Sequence, residues 1–276
     1  MPILAYSEYS YFDTKQTDYE NSALQHWVNN AQMYVNTKGL QDTKFIGSWE
    51  ALLAYAKSPY PVKDYIEILS GRNDETCPYV VSTIPPLLQT SWGQACGYND
   101  YAPPCQYGYC GKMLTGCVAT AMAQYLKFYR FPSNYNYSLM PNNIGAPETA
   151  RLMRDLGNLV YMNYGCNGSG ASSWSIVPAF TQLGYNAYSQ AYTKQATISM
   201  IREQGKPVYL VGYHQTAPIG HAWIADGYKE VILCDFSNTI EFMHMNWGFS
   251  NNPPNGWFID LGDYPVAASM IIANPQ

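Results

Sequence analysis

The hydrophobic period of this 276-residue chain changes once, near Gly205, and that change limits the folds open to it. Before it, apolar residues recur every three to four positions, as on one face of a helix. After it they alternate every two, as on a half-buried strand. Residues 117–131, 147–161, 175–183 and 196–204 read as helices. Val118, Met122 and Leu126 line the first of these, with Tyr125 and Tyr129 beside them. Pro147 suits a first helical position, where its missing N–H costs nothing, and Gly184 suits a helix end. Residues 208–213, 222–228, 231–236, 241–247, 256–259 and 266–273 read as strands joined by tight turns. Helices followed by antiparallel strands imply an α+β architecture, with the helical part packed on a sheet or open barrel.

Ahead of this pattern lies a separate unit. Residues 2–13 read as a strand or two, and 18–35 and 48–56 as helices. Residues 57–86 read as a connector rich in Lys, Asp, Gly and Pro, and 87–116 as mostly loop. A domain boundary is expected near residue 80, giving units of 1–80 and 81–276. The length suffices for a substantial core. Charged residues make up 13% of the chain, and 26 tyrosines share the polar surface with Asn, Ser and Gln, which suits an extracellular protein. A net charge of −5 without a basic run excludes a nucleic-acid footprint. No apolar stretch has the length of a membrane span, and the first residues lack the pattern of a signal peptide.

The chemistry centres on Leu114-Thr115-Gly116-Cys117, which leads directly into the first helix. Thr115 is the expected N-cap, and Gly116 lets the backbone turn. Cys117 then occupies the first turn, where unpaired N–H groups and the helix dipole favour a thiolate. The other cysteines are 77, 96, 105, 110, 166 and 234. An odd total is compatible with pairs plus one free thiol, for which Cys117 is the choice. A local bridge among Cys96, Cys105 and Cys110 and a fully reduced set both remain open, and the spacings are poor zinc patterns.

A nucleophilic cysteine needs a base and a group that orients the base. Of the histidines at 26, 214, 221 and 244, His221 stands out, following a glycine at the start of a strand. Asn246 ends a later strand, and its side-chain carbonyl could accept the imidazole N–H and fix the tautomer, with Trp247 covering that bond. Gln94 could donate to an oxyanion beside the Cys117 N–H.

Together these residues resemble the streptopain-type bacterial cysteine peptidases of papain-like fold. The matching pieces run in order: Pro86-Leu87-Leu88 to Trp92 and Gln94; Gly116-Cys117-Val118-Ala119-Thr120-Ala121 with Ala123-Gln124; Met162 with Tyr164-Gly165; Gly168-Ser169; Gly184-Tyr185; Gly220-His221-Ala222 with Asp226-Gly227; and Asn246-Trp247-Gly248. The resemblance implies a secreted endopeptidase with Cys117 as nucleophile, His221 as general base and then acid, and Gln94 as oxyanion donor. It implies that Asn246 and Trp247 hold and shield His221, and that Ser169 and Gly220 bind the substrate backbone. No cofactor or metal is implied; the partners are protein or peptide substrates. The start of the chain resembles the C-terminal part of the family's propeptide, so residues 1–80 are expected to be an inhibitory segment within which the chain begins.

Two departures bear on the cleft. Phe249-Ser250-Asn251-Asn252-Pro253-Pro254-Asn255 stands where the family has a Gly-rich turn, and residues 262–265 lead directly to the last strand without a Gly-rich loop. They motivate a second reading, a catalytically silent binding or inhibitor protein that keeps the fold.

Overall fold

The computed structural model describes Ala5–Tyr6 and residues 79–276, apart from 215–218, 233–238, 251–254 and 263. The helices expected at 18–35 and 48–56 and most of the connector lie outside these residues. The described elements, in order, are β1 (Ala5–Tyr6), β2 (Tyr79–Ile84), α1 (Cys117–Tyr129), α2 (Pro147–Leu159), α3 (Ile176–Gln182), β3 (Tyr185–Ala191), α4 (Lys194–Gln204), β4 (Val208–Tyr213), β5 (Gly220–Ile232), β6 (Thr239–Asn246), β7 (Gly256–Phe258) and β8 (Val266–Pro275). Among them the strands form one antiparallel sheet in the order β1-β7-β6-β5-β4-β8-β3, with β2 paired to β5. The architecture is the expected α+β one.

The centre of the sheet is buried on both faces, which explains why β4 is an unbroken apolar run. Tyr209 and Val211 of β4, Ala222 and Ile224 of β5, and Ile271 and Ala273 of β8 join the core around α1. Their neighbours Val208, Leu210, Trp223, Ala225, Met270 and Ile272 join a second core with Ile198 and Ile201 of α4. Register fixes this division, since Val211 faces Ala222 and Tyr209 faces both Ile224 and Ile271. All residues of α1 from Val118 to Leu126 are buried, so the helix is central rather than amphipathic at a surface. Buried tyrosine hydroxyls end on main-chain carbonyls: Tyr125 on Ala273 at 2.8 Å, Tyr185 on Phe131 at 2.8 Å and Tyr209 on Val118 at 3.1 Å.

Three elements differ from the sequence expectation. β2 lies within the presumed connector and spans the approximate boundary at residue 80. β3 was not expected: Asn186, Ser189 and Gln190 dilute its apolar signal, as is tolerable in a strand whose pairing partner is β8 alone among the described strands. The strand expected at 222–228 runs on in β5 to Ile232, the second residue of the one expected at 231–236, whose residues 233–236 lie outside the described ones. The pairing of β5 with β6 shifts between Ala225 and Gly227, leaving Asp226 as a bulged residue. The bulge turns that carboxylate inward, where it accepts the Leu88 N–H at 3.0 Å and meets His244 Nδ1 at 2.6 Å. The Leu87 N–H donates to the Asp226 carbonyl at 2.8 Å, so the bulge anchors the chain entering 89–94.

Disulfides Cys96–Cys110 and Cys105–Cys166 tie the 96–110 loop to itself and to the 163–170 loop, and Cys117 is the free cysteine among the described residues. No helix among the described residues is long and apolar enough to cross a membrane.

Candidate active site

Cys117 is the first residue of α1, and Gly116 before it has φ 87°. That value is cheap only for glycine. A Cβ there would also lie 2.6 Å from Met162 Sδ and 3.0 Å from the Ser169 carbonyl oxygen. Gly116→Ala is therefore expected to lose about 2–4 kcal/mol, adding the cost of positive φ to overpacking. A urea midpoint equal to the parent's would show that this wall yields freely.

Thr115 does not cap the helix. Its Oγ1 lies 3.0 Å from Thr120 Oγ1 and 3.4 Å from the Gln94 carbonyl oxygen, and its N–H donates to the same carbonyl at 3.0 Å. No side chain caps α1, which leaves first-turn N–H groups for the sulfur. Burial pushes the Cys117 thiol above its ordinary value; the N–H groups of Ala222, Val118 and Cys117 itself oppose that rise. One of these groups, the Ala222 N–H, belongs to the residue that follows His221.

His221 is buried near the start of β5. Its Nε2 lies 3.0 Å from the Trp247 carbonyl oxygen. A carbonyl only accepts, so the proton of the neutral ring belongs on Nε2 and the lone pair on Nδ1. Aromatic rings enclose the imidazole: Phe249 stacks at 4.8 Å and 9°, and Tyr264, Trp223 and Trp247 lie at 5.1, 5.9 and 6.0 Å. Burial lowers its pKa to about 4, and the Trp247 carbonyl works in the opposite direction. The unfolded chain then takes up this proton near pH 6.5, before the folded chain does. Its stabilising share is complete above that pH and falls away as pH drops toward 4, by about 3 kcal/mol for a shift of this size. Urea midpoints of the parent and of His221→Phe at pH 7.5 and pH 4 measure it; equal pH losses in the two would refute it.

The bond expected between His221 and the Asn246 side chain is absent. Asn246 Nδ2 donates to the Thr90 carbonyl at 2.7 Å, and Oδ1 accepts from Gln124 Nε2 at 3.0 Å and the Gly248 N–H at 3.3 Å. Strand alternation is the reason. Asn246 pairs with Ile224 on the α1 face, whereas His221 stacks with Trp223 and Trp247 of the opposite core. The main chain of Trp247 supplies the acceptor instead, and its ring covers the imidazole.

Of the other expected residues, Gln94 and Ser169 are tied to the residues just before Cys117. Gln94 is held beside the turn by the Thr115 bonds and is partly exposed. Ser169 Oγ donates to the Leu114 carbonyl at 2.7 Å and accepts the Gly165 N–H at 3.0 Å, so this hydroxyl pins the 163–170 loop against the residues before Cys117. Gly220 is exposed at the start of β5, opposite Tyr213. The Ala222 N–H, the Trp247 carbonyl and Gln124 were missed by sequence reasoning: main-chain groups carry no residue-type signal, and Gln124 reads as one more helical position. Among the described residues no three His, Cys, Asp or Glu side chains form a metal-binding group.

Known proteins resemble the chain in sequence and in fold. The chain is 27% identical over 229 residues to the thiol protease/hemagglutinin PrtT of Porphyromonas gingivalis, covering 65% of this chain and 25% of that protein. It is 26% identical over 293 residues to streptopain of Streptococcus pyogenes, covering 90% of this chain and 65% of streptopain. The chain therefore spans less than two thirds of either relative. Among solved structures, active interpain A cysteine protease of Prevotella intermedia superposes with TM-score 0.56 at 22% identity, covering 70% of this chain and 95% of that one. A prointerpain A fragment superposes with TM-score 0.58 at 20% identity, covering 98% and 87%. These structures share the fold. The Peptidase C10 family matches residues 92–140 and 133–258, more than half of the sequence and all of the proposed catalytic positions. The chain belongs to the Peptidase C10 family.

Proposed function

We propose that the chain is a secreted cysteine endopeptidase in zymogen form that hydrolyses peptide bonds through an acyl-enzyme on Cys117. The observation that carries this reading is the meeting of two elements. The N–H of Ala222, the residue after His221 in the chain, lies close enough to the helix-initial thiol to lower its pKa, and His221 has Nε2 held by a carbonyl, leaving Nδ1 to receive a proton. His221 removes the thiol proton, and sulfur attacks the substrate carbonyl carbon. The Cys117 N–H and the Gln94 side chain hold the resulting oxyanion. His221 then protonates the leaving amine, and water releases the acyl group. Asn246 and Trp247 support His221 from behind, Trp247 directly and Asn246 through the strand end. Because the Ser169 hydroxyl is engaged by Leu114 and Gly165, the main chain at Ser169 and Gly220 is left to pair with an extended substrate.

A groove of about 560 Å³ is lined by Trp174, Val177, Tyr188, Val211 and Ile271 among others, and Val211 is its link to the strand that carries His221. Val211 faces Ala222 across the strands, which suits the groove to an apolar substrate side chain close to the scissile bond.

Residues 1–80 act as the inhibitory segment. Ala5 and Tyr6 extend the sheet at β7, opposite Phe258 and Trp257, which is support for a segment laid on the peptidase. Since β2 is hydrogen-bonded to β5, the processing cut belongs outside it, on its N-terminal side. Intact mass after incubation under reducing conditions tests the reading, with and without an epoxide that alkylates thiols. Loss of the N-terminal segment, blocked by one adduct on Cys117, is expected. A stable full-length mass with no adduct, even after added protease removes the segment, would establish a silent binding protein instead.

A further inference from the structure

One buried side chain connects the three segments on which the proposed mechanism depends. Gln124 lies seven residues after Cys117, two turns along the same face of α1, and is fully buried. Its Oε1 accepts the Trp92 N–H at 3.1 Å, two residues before Gln94. Its Nε2 donates to Asn246 Oδ1 at 3.0 Å, one residue before the carbonyl that holds His221. Main-chain groups at the ends fix every amide orientation in this network. The Trp92 and Gly248 N–H groups can only donate, to Gln124 Oε1 and Asn246 Oδ1, and the Thr90 carbonyl can only accept, from Asn246 Nδ2. Asn246, Trp92 and Thr90 are buried as well, so no water competes and each partner depends on the others.

The surrounding packing leaves these segments little room to slide. A Cβ on Gly248 would lie 3.1 Å from Thr120 Cγ2, and one on Gly93 would lie 2.0 Å from Ser250 Oγ. The Ser250 N–H donates to the Trp92 carbonyl at 3.3 Å, closing the 248–250 turn onto the Gln94 segment.

We propose that Gln124 is a positioning residue: its amide sets the register of the oxyanion segment and of the Trp247 carbonyl, and through it His221, relative to Cys117. This rests on reading Cys117, His221 and Gln94 as the active centre. Gln124 touches neither substrate nor reacting atoms; it acts through the two segments it holds.

The test compares the full chain with Gln124→Met and Gln124→Glu. Methionine fills the space but removes both bonds. Glutamate can still accept from Trp92 but, when ionised, has no proton for Asn246. Two quantities are read on protein with a native near-ultraviolet dichroism spectrum: kcat and KM on a peptide substrate, and the rate of Cys117 alkylation by iodoacetamide against pH. Gln124→Met is expected to lower kcat about 10²-fold with KM within about threefold, because misplacement harms the transition state more than binding. Its alkylation profile should move toward that of an ordinary thiol as His221 loses its setting. Gln124→Glu should show the same displaced profile with a smaller loss of kcat, and it decides the matter if the methionine variant does not fold. Parental kcat and a parental profile in either folded variant would overturn the proposal. A parent that hydrolyses nothing but shows a perturbed profile sinks the peptidase reading and leaves positioning to be judged by the variants' profiles. An ordinary profile in the parent overturns both.

Discussion

Cys117→Ala is expected to reduce peptide hydrolysis by about 10⁵-fold or more, to the level of an enzyme without its nucleophile. Stability should barely change, by less than about 1 kcal/mol, because the side chain loses one sulfur at a partly exposed position. The N-terminal segment should then stay attached, since no thiol remains to cut it. Initial rates on a peptide substrate and the intact mass after prolonged incubation measure both effects. An alanine variant that hydrolyses and matures like the parent would remove Cys117 from the mechanism, leaving the helix start as a structural feature only.

His221→Ala ranks second, with an expected loss of about 10³–10⁴-fold in kcat. The loss has two sources: no group takes the thiol proton, and none returns it to the leaving amine. The variant also opens a gap between Phe249, Tyr264 and Trp223 and leaves the Trp247 carbonyl without its donor. Some destabilisation is therefore expected, and kcat must be compared on folded protein. Single-turnover acylation with an activated ester separates the two sources, since a good leaving group needs no proton. A variant that acylates as fast as the parent with the ester would limit His221 to the acid role.

Both predictions concern residues found in the sequence because their chemistry is a property of residue type. A cysteine after a glycine at a helix start and a histidine opening a strand are visible as letters. The supporting arrangement was less legible. The Asn246 side chain bonds elsewhere than expected, because the side to which it points depends on pairing with Ile224, and pairing is not written in the local sequence. The acceptor for His221 is a main-chain carbonyl, which any residue supplies. Gln124 sits among apolar residues of α1, and its function shows only when the 90–94 segment and the end of β6 arrive from opposite directions.

The fold divides in the same way. Hydrophobic period determined the helices after residue 116 and most of the strands, because burial of one face imposes that spacing wherever the partner lies. It did not determine β3, whose Asn, Ser and Gln are tolerated by pairing with β8, or the bulge at Asp226. Nor did it choose among the cysteines: the Cys105–Cys166 bridge requires the 163–170 loop to fold back on the 96–110 loop, a meeting across 61 residues. Sequence alone thus determined most of the elements and the candidates for the reactive groups, since both follow from local spacing and side-chain chemistry. Tertiary structure decided strand order, disulfide pairing and the hydrogen bonds around His221, since each needs segments distant in the chain to be brought together before it can form.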